Sequence, residues 1–253
     1  MPSATANELP SATISEQDDV RYLHLDTPWV QGAMFIHAPD VIVLEYVQRL
    51  MAWMLWRPST ELAAGHAVQL GLGAGTVTRF CRSVLRMPRV TAVELNPAVI
   101  AACRHGFRLP RDDTRLAVVC ADAGEWVAQP EHRASAQVLV VDLYDHEAAA
   151  PVLDSDAFYA RCSEVLAPGG VMSVNLFGRA SSFAASAARI AAAFGAGQVW
   201  SLTPTREGNT VVIAARGAVV PGREELLARA AFIERKFGLP ARKWLKMVRP
   251  YQP

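Results

Sequence analysis

The chain has 253 residues, 51% of them hydrophobic and 19% charged, with 25 basic against 24 acidic side chains and a net charge of +1. This composition supports one sizeable α/β core and excludes a largely disordered chain. It also excludes a global basic field of the kind that attracts nucleic acid or an anionic membrane.

Residues 1–19 are rich in Ser, Ala and Thr and read as a flexible tail without the basic start and apolar run of a signal peptide. No apolar stretch is long enough to span a bilayer, so the expected location is the cytoplasm, with neither membrane nor nucleic acid as a partner. Residues 20–60 read as a small N-terminal region. In it, Arg21–Leu25 and Ala33–Ile36 form a β-hairpin across Asp26-Thr27-Pro28, and a helix follows over Pro39–Leu55.

Residues 61–253 read as a nucleoside-binding Rossmann-like domain ending in a helix. Apolar strands are expected at 67–72, 90–95, 116–120, 138–143 and 171–176, with helices between most of them, as at 76–85 and 97–105, and an alanine-rich helix after the last at 182–194. Later strands are expected at 198–202 and 210–215, and a C-terminal helix at 224–236. Strands that are apolar throughout and alternate with helices specify a mostly parallel sheet covered on both faces.

The first of these strands runs into Gly71-Leu72-Gly73-Ala74-Gly75 and then a helix. Glycines here permit a tight turn and close approach of backbone to a ligand. Glu94, at the end of the second strand, can accept hydrogen bonds from both ribose hydroxyls. The G-x-G-x-G spacing departs from the dinucleotide fingerprint G-x-G-x-x-G, which favours a sulfonium nucleoside over a pyrophosphate. Asp122 ends the third strand, where it can bind an adenine amino group, cap the next helix, or do both. Asp142 and Asp145 lie at the carboxyl end of the fourth strand, where ligands of open α/β sheets bind. A carboxylate there can hold a cationic amine and take its proton. Tyr144 between them offers an apolar wall and a hydroxyl. The four cysteines and six histidines have no metal-ligand spacing, so no metal site is expected.

Taken in order, these segments resemble the polyamine aminopropyltransferases, the spermidine synthase family. The likeness runs from about Arg21 to Arg216. It includes Leu25-Asp26 with Gln31, the glycine loop, Val93-Glu94-Leu95, Ala121-Asp122-Ala123, Val141-Asp142 with Asp145, Phe158-Tyr159, Leu166-Ala167-Pro168-Gly169-Gly170 and Pro204-Thr205. The resemblance implies a class I methyltransferase-like fold and aminopropyl transfer from decarboxylated S-adenosylmethionine to a polyamine, with no tightly bound cofactor. It implies that Gln31, Glu94, Asp122 and Ala123, with the loop glycines, contact the nucleoside. Asp142 would be the catalytic acid/base, and Asp145, Tyr144 and Asp40 would lie toward the small-molecule amine. It further implies a homo-oligomer, a dimer built partly through the N-terminal strands.

Two departures stand out. Ala74 occupies the loop position where the family has an Asp near the donor's amino group. Asp40-Val41-Ile42-Val43-Leu44-Glu45-Tyr46 keeps the family's first Asp but not its amine-binding Tyr and Glu. The alternatives are therefore a methyltransferase using ordinary S-adenosylmethionine and a non-catalytic nucleoside-binding protein.

Overall fold

The computed structural model describes residues 9–143, 153–177, 180–195 and 197–252. Strands β1 (Ala12–Gln17), β2 (Val20–Leu25) and β3 (Gly32–Phe35) form a three-stranded antiparallel sheet. The expected hairpin is β2–β3, and β1 adds a strand inside the stretch read as a flexible tail. Asp18 and Asp19 join β1 to β2 with φ of 50° and 66°. Two consecutive left-handed residues make the turn whose twist suits a two-residue hairpin, and Asp tolerates that conformation.

Helix α1 covers only Glu45–Leu50, followed by a 3-10 segment at Met51–Trp56. The expected start at Pro39 fails because the Pro39 carbonyl is taken by the Arg79 guanidinium at 3.3 Å. Every residue of Met51–Trp56 is buried. Packing all round, rather than one amphipathic face, sets the conformation there.

The remaining elements alternate. They are β4 (His66–Leu70), α2 (Thr76–Arg79) continuing into a π-helical turn at Phe80–Val84, β5 (Arg89–Glu94), α3 (Pro97–Gly106), β6 (Leu116–Cys120), α4 (Ala123–Ala128), β7 (Ala136–Val141), α5 (Asp156–Val165), β8 (Leu166–Phe177), α6 (Ala180–Phe194), β9 (Val199–Leu202), β10 (Asn209–Ala215), α7 (Arg223–Phe237), α8 (Ala241–Met247) and β11 (Val248–Pro250). The eight-stranded sheet has the order β11-β9-β10-β8-β7-β4-β5-β6. Pairings from β6 across to β8 are parallel, whereas β10, β9 and β11 add antiparallel strands.

One apolar cluster, with Trp53, Trp56, Trp200 and Trp244, packs α1, α7 and α8 on the sheet. A second, with Trp126, Phe158 and Tyr159, packs α4, α5 and α6. A third joins the small sheet to the large one through Leu23, Met34, Leu72, Ala74 and Phe107. From β4 the chain proceeds to β5 and β6 on one side, then returns to β7 and β8 on the other. This reversal opens a crevice at the carboxyl ends of β4 and β7, where open α/β sheets bind ligands. No helix among the described residues is long and apolar enough to cross a membrane.

Candidate active site

The crevice is built by two strand ends pressed together. The Asp142 amide donates to the Leu70 carbonyl at 2.9 Å. Gly71 follows with φ of +84°, and a Cβ there would lie 2.1 Å from the Asp142 carbonyl oxygen. Only glycine meets both demands. Gly73, also left-handed, faces the Gln31 carbonyl across the crevice. Gly75 starts α2 with φ of +69° and lies off the cavity wall.

The loop is braced from beneath. The buried Arg79 guanidinium donates to the Ala74 and Pro39 carbonyls. Burial lowers its pKa to about 10, which leaves it charged at neutral pH. Ala74 itself is 3% exposed and belongs to the apolar cluster under the small sheet. A Cβ on Gly32 would lie 2.5 Å from the Ala74 Cβ. The side chain that replaces the family's Asp therefore faces the core and forms no part of the cavity wall.

Glu94 ties the loop to the second strand. Its two oxygens accept from the Leu72 and Asn96 amides at 2.9 and 2.8 Å. Burial pushes its pKa up, and these backbone bonds oppose the shift. Each carboxylate oxygen carries a second lone pair, so ribose hydroxyls can still be accepted. Asp122 caps α4, with Oδ1 accepting from the Glu125 amide at 2.8 Å. This leaves Oδ2 for a ligand donor.

Asp142 is half-buried at the base of the crevice, and desolvation there raises its pKa to about 6. Hydrogen bonds from Asn175 (2.9 Å) and Tyr46 partly offset that rise. Tyr46 comes from α1, two positions after the place where the family's Tyr is missing, and it supplies a phenol to the same crevice. Asn209 Nδ2 in turn donates to Asn175 Oδ1 at 3.2 Å.

These groups surround a cavity of about 740 Å³. Gln31, Gly71, Gly73, Glu94, Asp122, Ala123 and Asp142 all line it. Asp40 does not: it is exposed and acts on Arg79. Tyr144 and Asp145 lie outside the described residues. Sequence reasoning missed Tyr46, Asn175, Asn209 and Glu207, which also line the cavity. Leu23, Leu25, Trp29, Leu95 and Val99 form much of its apolar wall. The charged side chains among the described lining residues are Glu45, Glu94, Asp122, Asp142 and Glu207, with no Lys, Arg or His. Glu45 is paired with Arg49 at 2.7 Å, which holds its pKa down. Among the described residues no group of His, Cys, Asp and Glu could hold a metal ion.

Known proteins resemble the chain in sequence and in fold. Residues 67–215 match the spermine/spermidine synthase domain. A polyamine aminopropyltransferase of Chromobacterium violaceum is 31% identical over 232 residues, which is 91% of this chain and 86% of that protein. Among solved structures, a probable spermidine synthase from Corynebacterium glutamicum superposes with a TM-score of 0.73 at 18% identity, covering 96% of this chain and 92% of that one. Human methyltransferase-like protein 13, solved with SAH, superposes with a TM-score of 0.67 at 21% identity, covering 83% and 96%. The two structures speak to the fold, which is that of the class I methyltransferases. The domain match spans more than half of the sequence, and together with the curated relative it establishes that the chain belongs to the spermine/spermidine synthase family.

Proposed function

We propose that the protein is an aminopropyltransferase, moving an aminopropyl group from decarboxylated S-adenosylmethionine to an amine acceptor and releasing methylthioadenosine. The observation that carries this reading is a half-buried carboxylate with a raised pKa, Asp142, beside the glycine loop in a cavity whose charged described side chains are all acidic. The decarboxylated donor brings a sulfonium and an ammonium, which such a wall favours. Ordinary S-adenosylmethionine adds a carboxylate, which among the described lining residues would meet no cationic side chain. Burying an unpaired charge is costly, so the cavity disfavours that donor.

In the proposed reaction the acceptor nitrogen's lone pair forms a C–N bond to the methylene next to sulfur. The C–S bond breaks, and its electron pair leaves with methylthioadenosine as a neutral thioether. The donor carries its own leaving group, so the protein's work is to position the reactants and remove one proton. A free alkylamine has a pKa of about 10 and arrives protonated. Asp142 first stabilises that ammonium and then takes its proton. With a pKa near 6, Asp142 is mostly ionised at neutral pH yet more basic than an ordinary carboxylate. Glu207 on the β9–β10 turn suits a second ammonium of a diamine.

The test is calorimetry of the whole chain with each donor. Methylthioadenosine and decarboxylated S-adenosylmethionine are expected to bind, and S-adenosylmethionine at least about tenfold more weakly. Equal or tighter binding of S-adenosylmethionine would contradict the proposal and favour a methyltransferase.

A further inference from the structure

The segment that precedes β1 is tied across the mouth of the cavity. Leu9 stands before Pro10, and a residue before proline is pushed into extended backbone. Pro10 has no amide hydrogen, so its carbonyl is its one backbone hydrogen-bonding group. That carbonyl accepts from Asn96 Nδ2 at 2.7 Å. The next donor along the chain, the Ser11 amide, donates to Asp26 Oδ2 at 2.8 Å. Asp26 follows β2 of the small sheet and Asn96 follows β5 of the large one, so the segment is fastened to both. Among the described residues, the bond to Asn96 is the hydrogen bond that holds it upstream of Ser11.

The path of β1 along α3 brings the segment there. Asn96 is the N-cap of α3, with Oδ1 accepting from the Ala98 amide at 2.9 Å. At the other end of the helix, Gly106 lets β1 come close, since a Cβ on it would lie 2.4 Å from Ile14 Cδ1. Four extended residues from Pro10 to Ile14 span about 13 Å, and ten helical residues from Asn96 to Gly106 span about 15 Å. The lengths match, so the contact at Ile14 and Gly106 delivers Leu9 and Pro10 to the Glu94 end of the crevice. Both are half-buried and line the cavity. The Asn96 amide donates to Glu94 Oε1, so the segment hangs on a neighbour of the ribose-binding carboxylate. Trp29, Val30 and Leu95 line the same cavity and are 61%, 40% and 41% exposed. Apolar side chains left exposed around a cavity are surface that a ring system can cover.

We propose that Leu9 and Pro10 belong to the donor site as an apolar wall for the nucleoside, and that Asn96 is the positioning residue that holds this wall in place. The inference rests on the reading that the cavity takes the nucleoside of a sulfonium donor. Because the wall hangs beside Glu94, it acts on nucleoside binding and leaves proton transfer at Asp142 alone.

The experiment is calorimetry of the full chain with methylthioadenosine, with steady-state kinetics alongside. Leu9→Ser removes apolar contact at a half-buried position and is expected to weaken methylthioadenosine binding about three- to tenfold. Leu9→Met restores an apolar side chain and is expected to recover most of that loss. Asn96→Ser keeps an N-cap oxygen and adds no charge beside Glu94, but it cannot reach the Pro10 carbonyl. Its expected loss is also about three- to tenfold. The double variant is expected to lose no more than about tenfold, because either change releases the same contact. The donor KM should rise in these variants while kcat and the acceptor KM hold. A merely structural role would lower kcat or thermal stability and leave the donor KM in place. Wild-type affinity in both Leu9→Ser and Asn96→Ser would overturn the wall. Losses that multiply in the double variant would overturn the positioning role of Asn96. A wild-type chain that bound no methylthioadenosine would instead overturn the donor reading, and this inference with it.

Discussion

At the residue scale, two carboxylates carry most of the account, and their environments separate their roles. Asp142 has a pKa raised from 3.8 to about 6 by burial, so its ionised form is the one the fold disfavours. Its contribution to stability is present below pH 3.8 and is lost as pH rises through about 6. Asp142→Asn should therefore stabilise the fold at pH 8 by on the order of 2–3 kcal/mol, with the gain vanishing below pH 4. Urea denaturation at both pH values measures this. The same variant should lose about 10²–10⁴ in turnover, because it removes the base. A variant that is both less stable at pH 8 and normally active would contradict both assignments. In the wild type, kcat/KM should fall as pH drops below about 6, since only the ionised form of Asp142 takes a proton.

Glu94 behaves differently. Its oxygens already serve the Leu72 and Asn96 amides. Glu94→Gln turns one oxygen into an NH₂ facing a backbone N–H, at a cost of roughly 1–3 kcal/mol of stability. Donor affinity should also fall about tenfold to a hundredfold, as read by calorimetry. Full stability with unchanged affinity would mean that neither set of bonds matters.

At the element scale, the glycine loop is a device for bringing strand ends together. Gly71→Ala would force a left-handed backbone on a residue with a Cβ and drive that Cβ into the Asp142 carbonyl. The conformational term alone is about 1–2 kcal/mol, and displacing β7 from β4 adds to it. The expected outcome is a loss of more than about 2 kcal/mol in denaturant titration, with the Asp142 pH profile disturbed. Wild-type stability would refute the close approach.

The parallel strands were legible because each is a short apolar run, buried on both faces in the centre of the sheet as in Val138–Val141. Strand β1 was not, because its five residues from Thr13 to Gln17 are exposed and carry no alternating pattern. The start of α1 was hidden because a tertiary bond, from Arg79 to the Pro39 carbonyl, overrides local helix preference. Part of the cavity lining was legible because Glu94, Asp122 and Asp142 each sit at a strand end next to a recognisable signal. Tyr46, Asn175 and Asn209 were not, because they gather around Asp142 only through packing of α1 and pairing of β8 with β7 and β10.

At the scale of the whole molecule, a nearly neutral chain concentrates like charge in one place. Net charge is +1, yet the charged described lining residues of the cavity are all acidic. Global composition therefore gave no sign of this acidic concentration, which arises only when the fold gathers strand ends around one crevice. Fold likeness by itself does not choose between methyl and aminopropyl transfer, because the same scaffold hosts both. The proposed choice rests on the charge of the cavity wall and on Asp142 as the proposed base. The most direct measurement is mass-spectrometric identification of products after the full chain is incubated with either sulfonium donor and a panel of mono- and diamines. The account predicts methylthioadenosine together with an amine heavier by one aminopropyl group, formed from the decarboxylated donor and lost in Asp142→Asn. S-adenosylhomocysteine with a methylated product from S-adenosylmethionine, or no turnover with any amine, would contradict it.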